Sequence, residues 1–211
     1  MSVVGQTIGR KFARLVTNVV VGRPRLWRVF RSLMRKQFDT LAPVWDEMRS
    51  PDAFAPHIAA LDAIDPPPRT VLDLGTGTGS AALAIASRFP NAQVVGADLS
   101  ERMIEHARRR IPAGDEDRIR FELADASQLP YEDGAFDLVS LANMIPFFDE
   151  LARVVATGGY VLTSFSGGPS TPIYVPPGRL RQEFSSRGFS DFADFEAGSG
   201  TALLARKRDR S

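Results

Sequence analysis

The sequence predicts an α/β protein: a doubly wound, mostly parallel sheet carrying an N-terminal helical extension. Three observations predict it. After Pro66-Pro67-Pro68, strand-like and helix-like stretches alternate, the pattern of a parallel sheet with right-handed crossovers. Several strand stretches are continuous apolar runs rather than alternating ones, as expected when both faces are covered. Asp73-Leu74-Gly75-Thr76-Gly77-Thr78-Gly79-Ser80 places glycine at every second position between an apolar run and the helix-forming Ala81-Ala82-Leu83-Ala84-Ile85-Ala86, a strand turning sharply into a helix.

Each element follows in order. Phe12, Leu15, Val16, Val19 and Val20 fall at helical spacing, and so do Leu26, Phe30, Leu33 and Phe38. Pro24 suits the start of the second helix, and Arg25, Arg28, Arg31 and Arg35 gather on a basic face of it. The three prolines cannot continue a helix, so the chain divides into a basic helical extension and lid over 1–68 and a main domain over 69–211. Strands are expected over 70–74, 93–98, 119–124, 136–142 and 160–165, and helices over 80–88, 102–110, 147–155 and 180–187. Gly158-Gly159 fits a helix C-cap before the fifth strand. Strand runs over 192–196 and 201–206 flank Ala197-Gly198-Ser199-Gly200, a hairpin signal.

Composition narrows the function classes. Hydrophobic residues make up 44% of the 211, enough for a full core. With no cysteine there is no disulfide framework, thiolate nucleophile or cysteine metal site. His57 and His106 make no ligand spacing, so no metal is expected. No apolar run approaches a membrane span, and the first residues lack a signal-peptide pattern, so a cytoplasmic protein is expected. Charge is unevenly placed. Residues 1–38 hold nine basic residues and no acid, and the remainder holds 17 basic and 25 acidic residues. An acidic body carries a basic arm.

The glycine turn presents unpaired N–H groups to a polar or anionic ligand. Gly75 and Gly77 fit the first two glycines of the dinucleotide fingerprint, but Ser80 stands at its third. The actual pattern is G-x-G-x-G with Asp73 two residues upstream. With Asp98-Leu99-Ser100-x-x-Met103 and Asp125-Ala126 downstream, it resembles the class I S-adenosylmethionine-dependent methyltransferases. The likeness is to the small-molecule branch that includes quinone-biosynthesis C-methyltransferases, and it runs from about residue 38 to 207. Phe38-Asp39-x-Leu41-Ala42-x-x-Trp45-Asp46 resembles the opening segment of that branch, where a Tyr usually stands at the Trp45 position. The resemblance implies a seven-stranded Rossmann-like sheet whose last hairpin makes one strand antiparallel. It also implies S-adenosyl-L-methionine as cofactor and a small acceptor.

The candidate cofactor-binding residues are Asp73, Gly75, Thr76, Gly77, Asp98, Leu99, Met103, Asp125, Ala126 and Asn143. Asp73, at the end of a buried strand, needs partners. It receives donors from the ligand's amino group, orders the glycine turn, or caps the helix. Asp98 ends the second strand, where an acid accepts both ribose hydroxyls, with Ser100 the better helix cap. Leu99 and Met103 would pack on the adenine faces. The resemblance implies that Asp125 accepts from the adenine amino group and that the next N–H, of Ala126, donates to the ring. Asn143 follows the fourth strand, at the carboxyl ends where ligands bind. The Gly- and Pro-rich loop 166–177 lies on the acceptor side, with Ile173 and Tyr174 as candidate contacts.

No catalytic base is evident. His106 lies among arginines on a solvated helix face. His57 has a suitable intrinsic pKa, yet a lone histidine is more often structural. A positioned phenol, enol or activated aromatic carbon fits that lack, so the reading is methylation of a small, apolar or aromatic acceptor at carbon or oxygen. The basic arm admits a lid on the core or a peripheral contact with a membrane. RNA binding by the arm is the weaker alternative, since aromatic interleaving is lacking. A catalytically inactive scaffold with the same fold is another.

Overall fold

The computed structural model describes residues 3–48 and 54–208. Residues 1–2, 49–53 and 209–211, parts of the expected arm, its junction and the C-terminal end, lie outside the described residues. Helices α1 (Val3–Gly22) and α2 (Trp27–Leu41) form the extension, and α3 (Ala55–Asp62) leads to the sheet. Then follow β1 (Thr70–Leu74), α4 (Ser80–Arg88), β2 (Gln93–Asp98), α5 (Glu101–Arg108), β3 (Ile119–Leu123) and β4 (Phe136–Ala142). The chain ends with α6 (Phe148–Val154), β5 (Val155–Phe165), α7 (Pro177–Ser185), β6 (Phe189–Ala197) and β7 (Gly200–Lys207).

The seven strands lie in the order β3-β2-β1-β4-β5-β7-β6. The first five are parallel, and β7 runs antiparallel to both β5 and β6. The expected fold class is therefore the observed one. The strand order reverses between β1 and β4, which opens a crevice at their carboxyl ends. Each face of the sheet carries its own apolar layer. Leu72, Val139 and Val161 pack with Val16, Met34, Phe148 and Phe184 on one side. Val71, Leu138 and Leu162 pack with Leu61, Ile85 and Ile104 on the other. This is why the strands read as unbroken apolar runs.

Two expectations are corrected. Gly158-Gly159 is no helix cap. The α6 helix ends at Val154, and both glycines lie inside β5, where Val155 already pairs with Phe136. The register between β4 and β5 shifts there, Gly158 has φ +77°, and a Cβ on Gly159 would stand 2.7 Å from the Asp137 carbonyl oxygen. The glycines serve a bulge in the strand ladder. The second correction concerns α2. The expected apolar stripe named Leu26 and Leu33, but these are 36% and 54% exposed, while Trp27, Met34 and Leu41 are buried. Leu15 of α1 is likewise 57% exposed.

Candidate functional site

The floor of the crevice is the turn between β1 and α4. Gly75, Gly77 and Gly79 have φ of +72°, +55° and +84°, a region that costs other residues energy. The N–H groups of Gly75 and Thr76 both donate to the Ala97 carbonyl, at 2.8 and 3.1 Å, and those of Gly77 and Gly79 to Asp98 and the Thr76 carbonyl. The turn is thus locked against the end of β2, and these four are not the expected unpaired donors. A Cβ on Gly75 would strike the Met144 side chain, which lies across the turn, and one on Gly79 would stand 2.7 Å from the Phe121 ring.

Beneath the turn runs a buried polar chain. Thr76 Oγ1 donates to Asp73 Oδ2 at 2.7 Å, and Ser140 Oγ donates to Asp73 Oδ1 at 3.2 Å. The pairing of β1 with β4 sets Asp73 opposite Ser140. His57 Nε2 lies 3.2 Å from Ser140 Oγ, and its Nδ1 lies 2.8 Å from Ser164 Oγ. With Ser140 giving its one hydrogen to the Asp73 carboxylate, the His57 tautomer that satisfies both serines carries its proton on Nε2 and accepts from Ser164 at Nδ1. Burial lowers the His57 pKa to about 4, in keeping with this neutral form. His57 is fully buried and does not line the cavity, so it orders the floor rather than serving as a base. Asp73, also buried, does not line the cavity either.

Asp98 stands at the rim. Its Oδ2 accepts from the Gly77 N–H at 2.9 Å and its Oδ1 from the Ser100 N–H at 2.9 Å. Burial pushes this carboxyl above the ordinary aspartate range. The N–H groups of Ser100, Gly77 and Leu99 pull it down, and the nearby negative charge of Asp39 pushes it up. A half-buried carboxylate held against its desolvation, and facing a cavity, is a candidate binding position. Ser100 caps α5 as expected, its Oγ accepting from the Met103 N–H at 3.2 Å. The same Oγ donates to Asp39 Oδ1 at 2.6 Å.

The N-terminal extension forms the roof. Trp27, Met34, Phe38 and Trp45 line the same cavity as Gly75, Thr76, Gly77, Asp98, Leu99, Met103, Ala126 and Asn143. The cavity holds about 900 Å³ of empty space, part of it open to solvent. The described structure therefore gathers eight of the ten candidate residues around one crevice. Asp125 is placed differently. Its Oδ1 accepts from Trp27 Nε1 at 2.8 Å and from the Ser127 N–H and Oγ at 2.9 and 2.7 Å, while Oδ2 faces Arg31 at 3.5 Å. Asn143 has φ +54°, a conformation asparagine tolerates, and exchanges hydrogen bonds with Ser166 through Oδ1 and Nδ2. Ile173 lines the cavity, while the Tyr174 ring packs on Phe165 at 5.2 Å.

Sequence reasoning missed the clasps that hold the roof. Asp46 Oδ1 accepts from Thr78 Oγ1 at 2.6 Å, and its Oδ2 pairs with Arg110 at 3.1 Å. Arg14 donates to the carbonyls of Pro169 and Thr171, both at 2.8 Å, tying α1 to the loop after β5. Such pairings join residues far apart in sequence, and no local pattern announces them. The buried Trp27 and Met34 were within reach, since both lie on one helical stripe with Leu41.

Comparison with known proteins agrees with this geometry. A family model described as a methyltransferase domain matches residues 71–159. The demethylmenaquinone methyltransferase of Thermus thermophilus is 40% identical over 134 residues, 58% of this chain and 60% of that protein. The one from Deinococcus radiodurans is 34% identical over 149 residues, 68% of this chain and 61% of that protein. The chain thus spans about 60% of the length of these relatives. The structure of phosphoethanolamine N-methyltransferase 2 from Haemonchus contortus in complex with S-adenosyl-L-methionine superposes with a TM-score of 0.64 at 20% identity, over 81% of this chain and 57% of that one. This last likeness concerns the fold alone.

Proposed function

We propose that the chain, whose residues 71–159 match a methyltransferase domain, is a class I S-adenosylmethionine-dependent methyltransferase that transfers a methyl group from S-adenosyl-L-methionine to a small apolar or aromatic acceptor, at carbon or oxygen. The observation that carries the reading is a single crevice. It joins a glycine turn, a rim carboxylate and an apolar wall at the reversal point of the sheet.

The residues fit the cofactor. Asp98, Leu99, Met103 and Ala126 line the crevice and would hold the nucleoside, Asp98 by accepting from the ribose hydroxyls and Leu99 and Met103 by apolar contact with the adenine. Gly75, Thr76 and Gly77 give the backbone close approach to the methionine end, beside Asn143. Asp73 acts from beneath by holding Thr76. Asp125 acts through the roof by holding Trp27, with its Oδ2 toward Arg31. When bound, the cofactor supplies an electrophilic methyl on sulfur. The chain's own part is position and exclusion of water. Met34, Phe38, Trp45, Phe147 and Ile173 make the acceptor side apolar. Relatives named for demethylmenaquinone support an acceptor of quinone-like character. Residues 1–68 serve as a lid over residues 69–211, and the arm approaches a membrane peripherally.

Calorimetry with S-adenosyl-L-methionine, S-adenosyl-L-homocysteine and NAD, followed by transfer of labelled methyl to quinols and phenols, tests the reading. Binding without transfer to any acceptor would favour a scaffold, and tighter NAD binding would end the proposal.

A further inference from the structure

The outer face of α1 and α2 collects apolar side chains in solvent. Of the six exposed large apolar side chains among the described residues, four lie on this helix pair and the turn that joins it: Leu15, Leu26, Val29 and Leu33, at 57%, 36%, 71% and 54% exposure. Val29 and Leu33 stand one turn apart on α2. The two helices are antiparallel neighbours, since Phe12 meets Phe30 at 6.4 Å and a Cβ on Gly9 would stand 3.3 Å from the Gln37 amide. The inner face is already filled by Trp27, Met34 and Leu41. The outer residues are therefore a second apolar face, not a misplaced core.

Charge surrounds that face. Lys11, Arg23, Arg25, Arg28, Arg35 and Lys36 are all exposed and make no ion pair among the described residues. In the body pairing is commoner: Arg88, Arg118, Arg120, Arg153 and Arg187 each pair with a carboxylate, while Arg69, Arg102 and Arg206 do not among the described residues. Apolar side chains within a rim of uncompensated positive charge match an anionic lipid surface. Long basic side chains there lie along the apolar face with their heads in the headgroup layer.

We infer that the outer face of α1 and α2 docks on an anionic bilayer, with Leu15, Leu26, Val29 and Leu33 entering the headgroup–acyl boundary. The same helices roof the crevice, so docking sets its acceptor side against the lipid. That second part rests on the methyl-transfer reading; the docking itself does not.

The test is flotation of the full chain with vesicles of phosphatidylcholine alone and of phosphatidylcholine mixed with phosphatidylglycerol. Binding to the mixed vesicles, weakened by salt, is expected, with little on phosphatidylcholine alone. The double variant Val29→Glu/Leu33→Glu should lose about tenfold or more in partitioning, with its melting temperature and S-adenosyl-L-homocysteine affinity unchanged. Should that variant misfold, Arg28→Gln/Lys36→Gln serves, with a smaller loss expected. Equal partitioning of wild type and folded variants would overturn the inference. So would absence of binding to either vesicle, or a dimer in light scattering that the double variant dissolves. Cofactor calorimetry without lipid reads the methyl-transfer proposal separately.

Discussion

The indole N–H of Trp27 donates to Asp125 Oδ1 at 2.8 Å, joining residues 98 apart in sequence. The first belongs to the extension and the second to the loop after β3, so the bond fastens the roof to the sheet. Trp27 also meets the Phe147 ring at 5.5 Å, so the same side chain packs against the wall of the crevice.

Trp27→Phe should therefore loosen the roof without emptying the core. A hydrogen bond to a charged acceptor contributes about 1.5–3 kcal/mol, and the part-exposed Asp125 argues for the lower end. The melting temperature should fall by about 3–6 °C at that value. S-adenosyl-L-homocysteine affinity should fall as well, because the ring that lines the cavity loses its anchor. A variant with wild-type melting and affinity would show that this bond does not hold the roof.

Asp98→Ala should separate binding from stability. Loss of charge-assisted ribose contacts should cost about 1.5–3 kcal/mol, or roughly 10- to 150-fold in cofactor affinity. Stability near neutral pH should change far less, since burial opposes this charge in the folded protein. The sign follows from the raised pKa: acidification protonates Asp98 in the folded protein first, so cofactor affinity should drop on the acid side. Isothermal titration across pH reads this, and a flat profile would remove Asp98 from ribose binding.

His57 predicts a stability slope. Its folded pKa of about 4 lies below the unfolded value of 6.5, so the unfolded chain binds more protons between them. Stability from this group is complete above about pH 6.5 and declines as pH falls toward 4, by on the order of 3 kcal/mol. Asp98, with its raised pKa, works in the opposite sense on acidification. Urea melts at several pH values should show the decline, and His57→Gln should flatten it. An equal slope in the variant would assign the decline to other groups.

Gly77→Val should abolish cofactor binding and leave the fold in place. Gly77 holds φ +55°, and its N–H is bonded to Asp98, so a branched side chain there disturbs the turn at the rim. Circular dichroism should remain native while calorimetry shows no binding. Persistent binding would place the cofactor elsewhere.

Patterns within about ten residues carried most of the fold. The strands β1, β2 and β4 fall where their apolar runs begin and end, and the hairpin of β6 and β7 follows from its glycine turn. The candidates Gly75, Gly77, Asp98 and Asn143 were legible for the same reason: strand ends and turns are local. Long-range pairing decided the rest. The β5 strand begins at Val155 because β4 offers a ladder to it, which overrides the helix-stop signal of two glycines. The α2 helix has two apolar stripes, and only contact with the sheet body selects Trp27, Met34 and Leu41 for burial and leaves Val29 and Leu33 outside. His57 stands in the sequence as a lone polar residue, while Asp125 closes a strand-end motif. One is ordered beneath the floor by Ser140 and Ser164, the other at the roof by Trp27, because burial leaves each polar group to find whichever partner the packed chain brings within reach.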